Sequence, residues 1–276
     1  MNFGQNRVHH GDMRILMTGA AGKVGTLLRP RLARDGRTLR LSDLQPMEPG
    51  AGEEWVTADL ADPEAMAAAM KGVDAVLHLG GQSREHPWAD IVHANINGTQ
   101  VLLEAAYKEG VRHVVLMGSH HAAGFHTRPD NGEDLPDYAF PRPDTYYGVS
   151  KVVMEALGSL YHDRFGMNVT VIRLGTCNEG PLDTRGLATW ISADDLACLV
   201  EAGLTAPGYH VVWGVSDNPR RWWSLEEAKA IGYVSRDSSE PFAAGLIAEH
   251  GEPDLSDPVH DRAGGIFTLN ELGGKW

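Results

Sequence analysis

In "DTYYGVSK", residues 144 to 151, Tyr147 and Lys151 stand four apart, a spacing that puts both on one face of a helix. A free phenol ionises near pH 10 and a neighbouring ammonium favours the phenolate, so the pair is expected to move Tyr147 toward the range of a general base. Tyr146 has Ser150 at its own i+4 position and lacks that partner. A second cluster, "MGSHHAAGFH" (117 to 126), carries Ser119, His120, His121 and His126 directly after an apolar run. Imidazoles there can exchange hydrogen bonds with sugar hydroxyls, or become cations beside a carboxylate. On an extended segment adjacent side chains point to opposite sides, so His120 and His121 are not expected to share one ion, and no metal is assigned. His126 lies further into the loop and is expected to be solvated.

These groups need elements to position them. "MRILMTG" (13 to 19) reads as a buried strand and "KVGTLLRPRLARDG" (23 to 36) has helical apolar spacing, with Gly36 as its stop and a kink expected at Pro30. Further strands are expected at 38 to 43, 74 to 81, 113 to 119 and 168 to 175, separated by helical stretches within 88 to 109 and 145 to 165. Beyond residue 176 the pattern loosens into a helix at about 192 to 202, a strand at 209 to 215, a short helix near 225 to 230 and an irregular remainder. The alternation implies an α/β fold with a doubly wound parallel sheet. Residues 1 to 12 read as a flexible leader and 13 to 276 as a single domain, with residues from about 177 onward forming a small cap and tail.

Between the first strand and first helix, "TGAAGKVG" (18 to 25) places Gly19, Gly22 and Gly25 in a G-x-x-G-x-x-G spacing. Glycines in a strand–turn–helix context let backbone N–H groups approach a pyrophosphate. Asp43 ends the second strand, where a carboxylate can accept from an adenosine ribose and repel a 2′-phosphate, so NAD is favoured over NADP. Asp59, in "TADLADPE", reads either as an adenine-side contact or as a cap for the helix that follows.

The 276 residues are 42% hydrophobic with a formal net charge of -13, which argues against binding a phosphate backbone and hence against nucleic acid. Two cysteines, Cys177 and Cys198, form no C-x-x-C motif, and no apolar run is long enough to span a bilayer, so a cytoplasmic protein without a membrane partner is expected.

Together the glycine pattern, Asp43, Ser119 and the Tyr147/Lys151 pair resemble the extended short-chain dehydrogenase/reductase (NAD-dependent epimerase/dehydratase) superfamily over roughly residues 13 to 215. The resemblance implies a Rossmann-like sheet with a substrate-capping C-terminal region. It also implies that Ser119 bonds the reacting hydroxyl, Tyr147 removes its proton and Lys151 grips the nicotinamide ribose. "GSHHAAGFH", "YGVSK", "RLGTC", "RGLATWISADD" and "VVWGVSDN" look more closely like uronate dehydrogenases, which oxidise the anomeric hydroxyl of galacturonate or glucuronate with NAD to an aldaric acid lactone. That likeness implies that Ser83, His120, His121, Thr176 and Arg185 contact a small-molecule uronate, Arg185 at its carboxylate. It further implies that Lys23, Val24, Leu60, Leu79 and Cys177 join the glycines, Asp43 and Asp59 around the cofactor, and that the protein is a homo-oligomer. The family often has Asn-His where His120 and His121 stand, and tends to have serine at the place of Thr176. Rival readings are a nucleotide-sugar epimerase or dehydratase, which usually needs a larger C-terminal domain, and a non-catalytic NAD-binding protein, which has no need of a base.

Overall fold

A computed structural model describes residues 13 to 275; the leader assigned to residues 1 to 12 lies outside the described residues. Seven parallel strands form one sheet: β1 (Met13–Thr18), β2 (Arg37–Asp43), β3 (Glu53–Thr57), β4 (Ala75–His78), β5 (His113–Met117), β6 (Asn168–Leu174) and the last strand, Tyr209–Gly214. Their order is β3-β2-β1-β4-β5-β6 followed by that last strand, so the chain reverses direction across the sheet between β1 and β4. A separate parallel pair, β7 (Thr176–Cys177) and β8 (Trp190–Ile191), lies between β6 and the last strand in sequence, which makes Tyr209–Gly214 β9.

Both faces of the sheet are covered, and this explains why its strands read as continuous apolar runs. Side chains alternate: Ile15, Met17, Leu77 and Val115 enter one core with Leu28 and Leu32 of α1 (Lys23–Leu32), while Leu16, Val76, Val114 and Leu116 enter the other with Met66 of α2 (Pro63–Met70). That second face is completed by α4 (Gly98–Glu109) and α5 (Tyr146–Phe165), entered through α3 (Trp88–Ile91) and a π-helical segment, Val92–Asn97. The first face is completed by α7 (Ala193–Gly203), which follows the one-turn α6 (Gly186–Thr189). Among the described residues no helix is long and apolar enough to cross a membrane.

Several boundaries differ from expectation. Helix α1 stops at Leu32, two residues past Pro30, because Ala33 turns to an extended ψ of 126°; Gly36, at φ +74°, serves the turn into β2 instead. Strands β4 and β5 leave the sheet at His78 and Met117, earlier than expected. In the tail, α8 (Glu226–Ala230) was expected, whereas α9 (Glu240–His250) and α10 (Pro258–Asp261) were not. Helix α9 buries only Ala243, so it carries no apolar stripe to read.

Candidate active site

The cleft sits at the carboxyl ends of β1, β2 and β4, where chain order reverses and open α/β sheets bind ligands. It encloses about 450 Å³. Its walls include Gly19, Gly22, Lys23, Val24, Gly25, Asp43, Asp59, Leu60 and Leu79, nine of the residues expected at a cofactor, together with Ser83. Gly19 has φ +66°, and a Cβ there would stand 2.6 Å from the Gly80 amide; one at Gly25 would stand 2.6 Å from the Ala20 carbonyl. These two glycines therefore permit the close approach of the segments after β1 and β4 and the seating of α1, while Gly22 meets only the Gly19 carbonyl, at 3.2 Å.

Asp43 closes β2 and accepts from the Ala21 amide at 3.0 Å and the Gln45 amide at 3.1 Å, fixing its carboxylate beside the glycine turn. Asp59 accepts from the Ala61 amide at 2.9 Å. The helix cap is Asp62, whose Oδ1 takes the Glu64 and Ala65 amides, so the alternative role considered for Asp59 belongs to its neighbour. Lys23 reaches Asn178, and Cys177 is a buried thiol pushed up to about 11 by burial, against nucleophilic use.

At the end of β5 the backbone turns through a 3₁₀ segment, His120–Ala123, capped by Ser119, whose Oγ accepts from the His121 amide at 3.2 Å. The extended geometry expected here does not form, and the two imidazoles lie with ring centroids 4.0 Å apart. Their Nδ1 atoms are committed to different partners: His120 donates to the Leu174 carbonyl at 2.7 Å, and His121 pairs with Asp144 Oδ2 at 2.6 Å. Burial first, then the charges of His121 and Arg185, hold His120 well below the ordinary histidine range, leaving a neutral ring with Nε2 free to accept. Among the described residues no three His, Cys, Asp or Glu side chains are grouped to hold a metal. His126, expected to be solvated, is half-buried and bonds the Phe140 carbonyl at 2.6 Å.

Tyr147 and Lys151 are buried on one face of α5, and the Tyr147 ring meets the His121 ring edge-on, with centroids 5.6 Å apart. Tyr146 instead packs edge-on against Trp88. The expected lowering of the phenol is not found in the protein alone. Burial pushes Tyr147 up to about 12, and the Asp144 charge adds to the rise while Ser119 opposes it. Lys151 does not offset this: its Nζ donates to the Met117 carbonyl at 2.8 Å, sits 5.4 Å from the tyrosine ring centroid and is itself lowered to about 8 by burial. Desolvation thus decides the shift, not the attraction that the four-residue spacing suggested.

Of the remaining expected contacts, Thr176 Oγ1 bonds Thr189 Oγ1 at 3.1 Å, and Ser83 is exposed on the cleft rim. Arg185 bonds the Ala263 carbonyl and lies against Gly265. Neither Tyr147, Lys151 nor Cys177 lines the glycine cleft itself.

Three further residues shape the site. Asp144, its side chain fully buried, is walled by glycines: a Cβ at Gly124 or Gly264 would stand 2.1 or 1.9 Å from its Oδ2. Glu85, also fully buried, accepts from the amides of Tyr147 at 2.8 Å, Tyr146 at 3.3 Å and Gly273 at 2.8 Å, anchoring the start of α5. Asn95, in the π segment, joins Ser150 at 2.9 Å to the Gln82 backbone. The only local signal for any of them was Asp144-Thr145 preceding a helix, which reads as capping; their real partners lie far away in sequence.

A doubly wound sheet, a glycine turn opening α1 and a Ser–Tyr–Lys set at the end of β5 define a nucleotide-binding oxidoreductase class. The chain belongs to the NAD dependent epimerase/dehydratase family, which matches residues 15 to 223. It is 44% identical to a uronate dehydrogenase of Pseudomonas putida over 93% of this chain and 96% of that protein, and 40% identical to one of Agrobacterium fabrum over 94% and 98%. It also superposes, with a TM-score of 0.88 and 39% identity, on a mutant uronate dehydrogenase of Agrobacterium tumefaciens complexed with NAD, over 95% of this chain and 98% of that one. These likenesses set it among the uronate dehydrogenases of that family, which makes it an NAD-dependent oxidoreductase.

Proposed function

We propose that the chain oxidises the anomeric C1 hydroxyl of a hexuronate, galacturonate or glucuronate, to an aldaric acid lactone, with Tyr147 as the base. The observation that carries this reading is the convergence of Ser119, Tyr147 and His121 at the end of β5, in a chain so similar to uronate dehydrogenases. The cleft fits NAD: at Gly19 and Gly25 a Cβ would meet backbone, and Asp43 stands where a 2′-phosphate would be repelled. When bound, NAD supplies the hydride acceptor, at a ring that carries positive charge.

Ser119 holds the C1 oxygen, and Tyr147 Oη takes its proton as the C1 hydrogen leaves with its electron pair. Burial holds the Tyr147 phenol above its ordinary range, and a cation bound beside it would favour the phenolate. Neutral His120 offers Nε2 to a sugar hydroxyl, and His121, oriented by Asp144, offers its own Nε2. Arg185 takes the C6 carboxylate, for which a guanidinium fork is suited.

NADH formation measured with galacturonate, glucuronate, galactose and UDP-glucuronate tests this reading. Turnover of one or both free uronates, with little on galactose, is expected. Consumption of the nucleotide sugar with none of the free uronates would overturn it.

A further inference from the structure

A second cavity, of about 300 Å³, lies between the residues around α6, the loop after His126 and the tail from Glu252 to Arg262. Four arginines, Arg128, Arg185, Arg220 and Arg262, line it, and Glu252 is its one carboxylate. This excess of positive charge is concentrated in a chain whose formal net charge is -13. Arg220 is offset by Glu252 at 3.4 Å and Glu240 at 3.8 Å. Among the described residues, the ion pairs include none for Arg128, Arg185 or Arg262. Arg185 has the Ala263 carbonyl, Arg262 has Thr268 Oγ1 at 3.2 Å, and Arg128 lies 5.5 Å over the Trp222 ring. Three polar atoms of the wall, Arg128 Nε, Arg185 Nε and His260 Nδ1, are buried with no hydrogen-bond partner.

Asp261 faces Arg128, and Asp183 and Asp144 face Arg185, only at longer range; partly desolvated guanidinium groups held in no direct ion pair are costly, and the partner they match best is a compact oxyanion that takes two parallel N–H bonds from each fork. We propose that this cavity binds a phosphate-type dianion, either free phosphate or the phosphomonoester of a small ligand, between Arg128 and Arg262 with Arg185 in the shared wall. Four lining arginines against one lining carboxylate favour a dianion over a single carboxylate. Ser119, His121, Tyr147 and Lys151 are absent from the lining, so the site is distinct from the C1 chemistry, and it adjoins the uronate reading only through Arg185. Occupancy would pin the tail around Arg262 to the loop at Arg128 and brace Arg185 from behind.

Thermal unfolding of the full chain tests the site, with NAD saturating so that the glycine cleft is filled. Inorganic phosphate and glucose 6-phosphate are titrated separately against chloride at matched ionic strength. A saturable rise in Tm of about 3 °C at ten times the dissociation constant is expected for at least one of them, and the tighter of the two identifies the source of the dianion. Arg128→Gln should abolish the rise and Arg128→Lys should weaken it, while both still bind NAD. No rise beyond chloride, or an equal rise in Arg128→Gln, overturns the proposal. So does phosphate that competes with uronate equally in wild type and Arg128→Gln, since it would then occupy the uronate site.

Discussion

At the scale of single residues, the choice between two adjacent tyrosines rests on what each side chain touches. Tyr147 is buried against His121 and Lys151, whereas Tyr146 packs on Trp88. Tyr147→Phe should therefore lower turnover at least about a thousandfold, the scale of a lost general base, with NAD affinity retained by titration; Tyr146→Phe should keep most activity. Asp144→Asn removes the charged partner of His121 Nδ1 while keeping the size of the side chain. Losing one charged hydrogen bond costs about 1.5–3 kcal/mol, so kcat/KM on the uronate should fall roughly ten- to a hundredfold with an altered pH profile. An unchanged profile would make Asp144 a packing residue only. Arg185→Lys, which keeps the charge and loses the fork, should cost uronate turnover at low substrate about the same factor; an unaffected variant would move the carboxylate contact elsewhere.

At the scale of elements, the site depends on how α5 begins. Thr145 Oγ1 accepts from the Gly148 amide at 3.1 Å, and the Glu85 carboxylate collects two more first-turn amides, placing an anion at the positive end of the helix. Glu85 also holds Gly273, so one buried carboxylate ties the loop after β4, the start of α5 and the tail together. Glu85→Ala leaves these amides unpaired and should cost about 2–3 kcal/mol in urea unfolding. It should also lower kcat more than it weakens NAD binding, because the glycine turn is untouched. That turn was legible from the spacing of Gly19, Gly22 and Gly25, since both its geometry and its signal are local. The π segment around Asn95 was not, because its register is set by the contact to Ser150, fifty-five residues away.

At the scale of the whole molecule, burial of Lys151 and Tyr147 couples the site to global stability. Lys151 is held at about 8 against 10.5 for an exposed lysine, so between these values the unfolded chain binds a proton that the folded one has released. Stability on its account rises as pH climbs from about 8 to 10.5. Tyr147 acts oppositely: its folded phenol keeps a proton to about 12 that the unfolded chain gives up near 10, so its contribution declines from about pH 10 to 12. Urea unfolding at pH 8 and pH 10 should show wild type gaining about 2 kcal/mol relative to Lys151→Met; parallel curves would mean that Lys151 is not desolvated. The same pair shows what the sequence determined and what only the tertiary structure decided. Apolar runs such as "RILM", the glycine turn, Asp43 at a strand end and the i, i+4 placement of Tyr147 and Lys151 were readable because each depends on a period or a spacing within one or two elements. Whether the lysine lowers the phenol, whether two adjacent histidines point apart, and which carboxylate each buried group meets were decided by packing. Desolvation, the Met117 carbonyl and the Asp144–His121 contact arise only when β5, α5 and the tail close on one another, and no spacing along the chain encodes the dielectric or the partner found there.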